Sequence, residues 1–205
     1  TLFWRKALLD LILETSLKDI HIGLYQKGEL LWKHCELKGR GEVLNKLLDI
    51  GLQESNHAVA DISKILTTRG PGSFTGLRTG LAFVQGLAFS GQRQVYSIST
   101  LKAISLCVPS YDAVGFLARK GLWYFGKGSG ELDKMQTEGL LAEVDLSKID
   151  GSIIGDDFMG LGNSWEPHFD LDPLAKHLEN LFPHNNLIEL KPNYIQNAAV
   201  TTPKK

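Results

Sequence analysis

The chain has 205 residues, of which 43% are hydrophobic, and 22 basic and 23 acidic residues give a formal net charge of −1. This length can bury the core of one ordinary domain or of two small lobes. The balanced charge excludes strong autonomous binding to nucleic-acid phosphates, which needs clustered positive charge. The two cysteines, Cys35 and Cys107, lack metal-ligand spacing, and no apolar stretch approaches the roughly 20 residues that span a bilayer. These features predict a cytoplasmic protein with reduced thiols and no membrane segment.

The first third of the chain is rich in strand-forming residues. Apolar runs separated by turn signals predict three strands in two successive hairpins, at residues 8–14, 20–25 and 30–34. Apolar residues then recur at helical spacing, which predicts a helix over residues 42–54. Leu44, Leu47 and Leu48 lie on the apolar face of this helix.

Strands and helices alternate after the first helix. The predicted elements are a strand at 63–68, a helix at 75–91 that Gly91 caps, a strand at 95–98 and a helix reaching Cys107. The resulting order βββαβαβα is typical of the nucleotide-binding lobe of actin, hexokinase and Hsp70-type proteins. It predicts a mixed five-stranded sheet covered by helices.

Pro109 and Ser110 mark a candidate boundary between lobes. We expect a first lobe over residues 1–108 and a reduced second lobe with a C-terminal tail over residues 109–205. The second lobe is predicted to contain a hairpin at 113–118 and 122–125, a strand at 152–154, a helix at 174–182 and a frayed tail at 197–205. Residues 126–150 are glycine-rich and charged, and they predict no particular element.

A glycine-rich run connects the fourth strand to the second helix. Its residues are Gly70, Pro71, Gly72, Ser73, Phe74, Thr75 and Gly76. Backbone N–H groups at such a turn can hold an anion, and Ser73 or Thr75 can cap the helix. The run lacks the final Gly-Lys-Ser/Thr of a P-loop, which excludes that type of phosphate and Mg²⁺ site. A tight strand-to-helix connection without a ligand is the alternative.

Other polar residues predict neither catalysis nor a metal site. The six histidines form no close ligand pair, and Asp156-Asp157 follows a strand in what reads as an ordinary turn. Ser73 and Thr75 have no identifiable base, which a nucleophilic hydroxyl requires. We therefore expect no catalytic residue, no bound cofactor and no metal ligand on this chain.

The run from Arg69 to Arg78 resembles the sequence signature of the TsaB (YeaZ) family, degenerate members of the actin-like (ASKHA, ribonuclease H-like) superfamily. Supporting segments occur in the order that the family shows, namely Leu13–Ser16, Ser99–Ala103, Ala118–Gly121 with Tyr124, and Pro192 with Tyr194. The resemblance is strongest over Leu9–Ala103. It implies a non-catalytic subunit that supports TsaD in transferring a threonylcarbamoyl group to adenosine 37 of tRNA. A TsaE-like ATPase would complete the assembly, and tRNA would be contacted only through the complex.

Two departures from the family pattern bear on chemistry. Family members usually carry aspartate at the positions of Glu14 and Leu117, and a leucine cannot ligate a hard cation. The resemblance therefore implies that ATP and metal bind to the partner subunits. The alternatives are a small ATPase or kinase of the same superfamily, a peptidase, or a homodimeric scaffold unrelated to tRNA.

The second helix carries a stripe of small and apolar residues. Gly76 and Gly80 lie four residues apart, which can let another helix approach closely. The opposite stripe, Leu77, Leu81 and Ala88, can serve the sheet. In the TsaB family the first two helices contact TsaD or a second TsaB copy. The implied interface comprises Leu44, Leu47 and Leu48, the run Gly70–Gly76, and Arg78, Gly80, Val84 and Leu87. Gly80→Arg is accordingly expected to break the interface and spare the fold.

Overall fold

The chain divides into two compact units. The computed structural model describes residues 8–37, 39, 41–107, 113–119, 121–127, 137–142, 153–156 and 169–195. The first unit comprises Thr1–Thr100 and Asp170–Pro192, and the second comprises Leu101–Phe169 and Asn193–Lys205. The first unit therefore ends at Thr100 and not at the expected boundary between residues 108 and 109. In addition, a C-terminal segment that was expected in the second lobe returns to the first unit.

The first unit is built on a mixed five-stranded sheet with the strand order β3-β2-β1-β4-β5. Its strands are β1 (Leu9–Glu14), β2 (Ile20–Gln26), β3 (Glu29–Glu36), β4 (Ile62–Thr68) and β5 (Gln94–Ile98). Strands β1, β4 and β5 run parallel, while β2 is antiparallel to both β1 and β3. The central strand β1 is buried on both faces except at Asp10, as a near-continuous apolar run predicts. The predicted strands and the mixed sheet are confirmed.

Four α-helices are described, and two of them cover this sheet. They are α1 (Leu44–Glu54), α2 (Phe74–Gly91), α3 (Thr100–Leu106) and α4 (Asp172–His177). Helix α1 buries its leucines, and α2 buries Leu77, Leu81, Val84 and Ala88. The buried leucines of α1, together with Leu81, Val84 and Ala88 of α2, join the apolar residues of β1, β2 and β4 in one hydrophobic core.

The C-terminal end of α2 differs from the prediction. Gly91 is the last helical residue, and Gln92 is the cap, with a left-handed φ of 51°. The guanidinium of Arg93 donates to the carbonyl of Leu87 and, at 2.7 Å, to that of Val59. A cation at this position is also stabilised by the negative end of the helix dipole. Arg93 therefore caps the helix, which Gly91 was expected to do.

The C-terminal segment Asp170–Pro192 is held to the rest of the first unit by polar contacts between residues that are far apart in sequence. The Tyr25 hydroxyl donates to Asp172 Oδ1 at 2.7 Å, and Lys33 Nζ donates to Asp170 Oδ1 at 2.9 Å. Further along, the His184 N–H donates to the Val95 carbonyl of edge strand β5 at 2.7 Å. Leu190 completes the segment by entering the hydrophobic core.

The second unit contains a four-stranded sheet with the order β8-β7-β6-β9. Its strands are β6 (Ala113–Arg119), β7 (Leu122–Lys127), β8 (Thr137–Ala142) and β9 (Ile153–Asp156). The hairpin and the strand near residue 153 were predicted, whereas β8 lies in the segment that predicted no element.

The two predictions for the C-terminal region have different outcomes. The helix expected at 174–182 is α4 followed by a 3-10 turn over Leu178–Asn180, so it starts earlier and ends earlier than predicted. The tail expected at 197–205 lies outside the described residues. No described helix is long and apolar enough to cross a membrane.

Candidate functional site

Buried polar residues collect where β1, β4 and β5 end. Parallel strands bring their carboxyl ends to the same edge of a sheet, and this edge is where ligands commonly bind in α/β folds. The residues are Glu14, Thr15, Ser16, Thr67, Thr68, Ser99 and Thr100. We call this group the strand-end cluster. It contains the first departure from the family pattern, Glu14.

The Glu14 carboxyl is fully buried and is surrounded by hydrogen-bond donors. Its Oε1 atom accepts from the N–H groups of Ser16 at 2.5 Å and Leu17 at 3.1 Å, and from the Thr68 hydroxyl at 3.2 Å. The Ser16 hydroxyl also donates to it. Burial raises the pKa of Glu14 to about 7, although these hydrogen bonds oppose the shift by favouring the charged form. The carboxyl is therefore satisfied by its own chain.

The glycine-rich loop lies directly against this cluster. The Ser73 N–H donates to the Ser16 carbonyl at 2.7 Å, and the Thr100 N–H donates to the Gly70 carbonyl at 2.9 Å. The hydroxyls of Ser16 and Thr100 lie 2.7 Å apart, within hydrogen-bond distance. Ser73 caps α2 by accepting from the Gly76 N–H at 3.2 Å, as predicted. The loop is thus closed on the turn that follows β1.

Close backbone contact explains two of the glycines in the loop. A Cβ at Gly72, whose φ is +150°, would lie 2.2 Å from the Ser16 carbonyl oxygen. A Cβ at Gly76 would lie 2.0 Å from the Thr15 carbonyl oxygen. Only glycine permits such an approach. The geometry corresponds to the tight connection considered above and leaves no open anion site between loop and turn.

The glycine stripe of α2 also faces inward, which overturns its predicted role as a partner surface. Gly80 is buried, and a Cβ there would lie 2.1 Å from Thr15 Oγ1. Val84 is fully buried, and Leu87 packs against the core. Both apolar stripes of α2 are thus used by the chain itself, because the glycines let the helix sit directly on the end of β1.

The predicted contact residues of α1 are buried for the same reason. Leu44, Leu47 and Leu48 all belong to the hydrophobic core beneath the helix. The exposed residues of α1 are mainly polar, including Asn45, Lys46 and Asp49. Neither set forms the exposed apolar patch that was expected.

Helix α2 nevertheless exposes another row of residues, of which the sequence analysis placed Phe74 and Arg78 in the implied interface but missed Ala82, Gly86 and Phe89. We call it the outer face of α2, formed by Phe74, Arg78, Ala82, Gly86 and Phe89. Phe74 is 54% exposed and Phe89 is 89% exposed. The Arg78 guanidinium carbon lies 4.0 Å from the centre of the Phe74 ring, a cation–π contact. The spacing of four residues from Phe74 to Gly86 is the signal that could have identified this face.

The remaining candidate groups do not form a metal or nucleotide site. No three His, Cys, Asp or Glu residues in the described part of the chain could hold a metal ion together. Leu117 is 45% exposed on β6 and offers no oxygen ligand. Asp156 ends β9, while Asp157 lies outside the described residues. The Mg²⁺ and ATP that the actin-like fold implies are not matched by these residues, since the Glu14 carboxyl is fully buried and bound by donors of its own chain and Leu117 offers no oxygen.

Comparisons with known proteins match TsaB proteins and tRNA N6-adenosine threonylcarbamoyltransferases. A family model described as TsaD, tRNA N6-adenosine threonylcarbamoyltransferase, matches residues 40–138. The tRNA threonylcarbamoyladenosine biosynthesis protein TsaB of Escherichia coli K12 is 30% identical over 97 residues, covering 46% of this chain and 42% of that protein. The Haemophilus influenzae protein of the same name is 34% identical, covering 46% and 41%. The chain is therefore similar to TsaB proteins over somewhat less than half of its length.

The fold comparison extends beyond the segment matched in sequence. YeaZ from Pseudomonas aeruginosa has the same fold, with a TM-score of 0.72 at 23% identity, and covers 91% of this chain and 99% of that structure. The actin-like fold expected from the element order is therefore confirmed. The chain spans about two fifths of the length of these two curated relatives in the sequence alignments.

Proposed function

We propose that this chain is a non-catalytic partner subunit in the threonylcarbamoyl modification of adenosine 37 of tRNA in the cytoplasm. It binds a TsaD-like catalytic subunit, a TsaE-like ATPase joins the assembly, and tRNA contacts this chain only through the complex. The observation that carries the proposal is its similarity, over 97 residues, to TsaB proteins, which are named for threonylcarbamoyladenosine biosynthesis.

The strand-end cluster supports a non-catalytic role. An actin-like ATPase needs carboxylates that are free to organise Mg²⁺ and water, whereas Glu14 accepts hydrogen bonds from its own turn and from β4. Leu117 supplies no oxygen at the position where the family usually has aspartate. The metal, the nucleotide and the catalytic groups therefore belong to the partner subunits in this proposal.

The outer face of α2 supports a role in binding a partner. Small residues at Ala82 and Gly86 flatten the middle of the face, and nothing lies within 4 Å of a Cβ built at Gly86. Exposed aromatic rings at Phe74 and Phe89 flank this flat region, and such rings are typical anchors of protein interfaces. The contact with the TsaD-like subunit is thus assigned to this face and not to the buried stripe through Gly80.

Ala82→Arg is expected to weaken capture of the TsaD-like subunit of the same organism by at least about tenfold, because a long cation would stand in the flat centre of the face. Arginine and alanine have similar helix propensities, so the circular dichroism spectrum should not change. The measurement is a titration of the two purified proteins. Glu29→Arg, on exposed strand β3, is the matched control and should bind normally.

The same variants discriminate the homodimeric scaffold. The scaffold alternative predicts three results: the wild-type chain self-associates in sedimentation, Ala82→Arg abolishes the self-association, and no TsaD-like subunit is captured. Together these results would show that the outer face of α2 binds a second copy of the chain. Equal capture by wild type and Ala82→Arg would show that the partner surface lies elsewhere.

The isolated chain is expected to hydrolyse ATP no faster than a buffer control, because Leu117 and the saturated carboxyl of Glu14 leave no pair of free carboxylates. The measurement is release of inorganic phosphate with and without Mg²⁺. Mg²⁺-dependent turnover that disappears in Glu14→Gln would instead establish the ATPase or kinase alternative.

A further inference from the structure

The donors around Glu14 have the geometry of an anion-binding site. The N–H groups of Ser16 and Leu17 are consecutive and converge on one oxygen, at 2.5 and 3.1 Å. Two hydroxyls, from Ser16 and Thr68, converge on the same atom. Successive backbone N–H groups arranged in this way form a concavity that binds phosphates and carboxylates.

The bound group in this concavity is part of the chain. We propose that the Glu14 carboxyl is a built-in ligand that fills the donor concavity at the end of β1 and holds the glycine-rich loop closed. The concavity therefore takes no phosphate from solution while Glu14 is present, and it takes a small carboxylate once the Glu14 carboxyl is removed. This inference concerns one site within the chain and does not depend on the proposed partner.

The link from the carboxyl to the loop runs through Ser16. The backbone N–H and hydroxyl of Ser16 both donate to Glu14, and its carbonyl accepts from the Ser73 N–H at 2.7 Å. Its hydroxyl also lies 2.7 Å from that of Thr100, whose N–H donates to the Gly70 carbonyl at 2.9 Å. Ser16 thus joins the carboxyl of Glu14 to both ends of the loop, so loss of this carboxyl should loosen the loop before it affects the sheet.

Chemical rescue tests this assignment in the full-length chain. Glu14→Ala removes a methylene and a carboxylate, and acetate has the same heavy atoms. At pH 8.5, acetate at ten times its dissociation constant should raise the melting temperature of Glu14→Ala by about 3 °C above sodium chloride of equal ionic strength. Wild type should show no such difference, nor should Glu36→Ala, the matched deletion of an exposed carboxyl on β3. Inorganic phosphate, the second probe, should leave wild type unshifted.

The opposite results would overturn the proposal. Equal melting of Glu14→Ala in acetate and chloride would mean that the concavity collapses and is no anion site. A phosphate shift in wild type that exceeds the chloride control would mean that Glu14 does not block it. If Glu14→Ala does not fold, the Glu14→Gln variant tests the proposal, since glutamine keeps the size of the side chain and replaces one acceptor oxygen by a donor. In this variant, hydrogen exchange of the Ser73 and Thr100 amide protons should accelerate at least tenfold, while exchange of the Leu66 amide in β4 should not change. Unchanged exchange at Ser73 would reject the link between Glu14 and the loop.

Discussion

Gly80→Arg is expected to unfold the protein instead of detaching a partner. A Cβ at this buried position would lie 2.1 Å from Thr15 Oγ1 and 3.0 Å from Thr15 Cγ2, and the guanidinium would be forced into the protein interior. Overpacking combined with an unpaired buried charge costs about 4–5 kcal/mol or more, which approaches the whole stability of a typical domain. Thermal and urea unfolding followed by circular dichroism measure the loss.

Three alanine substitutions locate the cause of this loss of stability. Gly80→Ala clashes with the Thr15 side chain, whereas Gly76→Ala clashes with the Thr15 carbonyl oxygen at 2.0 Å. Thr15→Ala removes Oγ1 and Cγ2 and should therefore restore much of the stability lost in Gly80→Ala. It should restore little in Gly76→Ala, because the carbonyl remains. Thr15 Oγ1 itself has no hydrogen-bond partner among the described residues, so its removal leaves no donor behind.

Gly86→Arg is the control for helix propensity. Gly86 lies on the outer face of α2 with open space around its Cβ, so arginine should raise stability by up to about 1 kcal/mol. Opposite signs at positions 80 and 86 of one helix are the expected pattern. A Gly80→Arg variant that melts like wild type would show that α2 does not rest on the end of β1.

Stability is expected to fall as the pH rises from about 4.5 to about 7, because of Glu14. Burial raises its pKa in the folded protein to about 7 from an ordinary value of 4.5. A raised carboxyl pKa means that the folded state holds a proton that the unfolded chain has lost. The contribution is therefore fully present below pH 4.5 and is lost as the pH passes 7, a change on the order of 3 kcal/mol.

Glu14→Gln isolates this contribution. Burial lowers the pKa values of His21 and His184, so these groups act in the opposite direction and add stability as the pH rises. Both histidines are present in the variant, so the difference between the wild-type and variant urea midpoints reports Glu14 alone. That difference should decline between pH 4.5 and 7 and level off above it. Parallel curves would place the pKa of Glu14 near its ordinary value.

The sheet and the loop could be predicted because their signals are local. Strand-forming runs such as Ile20–Tyr25 end at turn residues, and the alternation with helices limits the topology to a few choices. Ser73 could be identified as the cap from its place before the helix. The same reasoning identified Glu14 as an unusual residue but gave no sign that its carboxyl is enclosed by donors from Leu17 and Thr68.

The orientation of α2 could not be predicted because small residues fit two environments. Gly76 and Gly80 can serve a helix-to-helix contact or a close approach to a sheet, and the choice depends on Thr15, which is about sixty residues away in sequence. Ala82 and Gly86 are small residues at the same four-residue spacing as Gly76 and Gly80, yet they face outward, so the sequence does not distinguish the two pairs. Strand β8 was not predicted because its residues, Thr137–Ala142, show no clear alternation of apolar and polar side chains.

The return of Asp170–Pro192 to the first unit sets the order in which the protein is completed during synthesis. The five strands and α2 all precede Thr100, yet edge strand β5 receives the His184 N–H, and the core receives Leu190, only after translation has passed residue 190. Until then the nascent first unit presents an open sheet edge and uncovered apolar surface, which are typical sites of misassociation. The first unit is therefore finished only after the strands of the second unit have been made, and a product stopped at residue 108 would keep that edge open permanently.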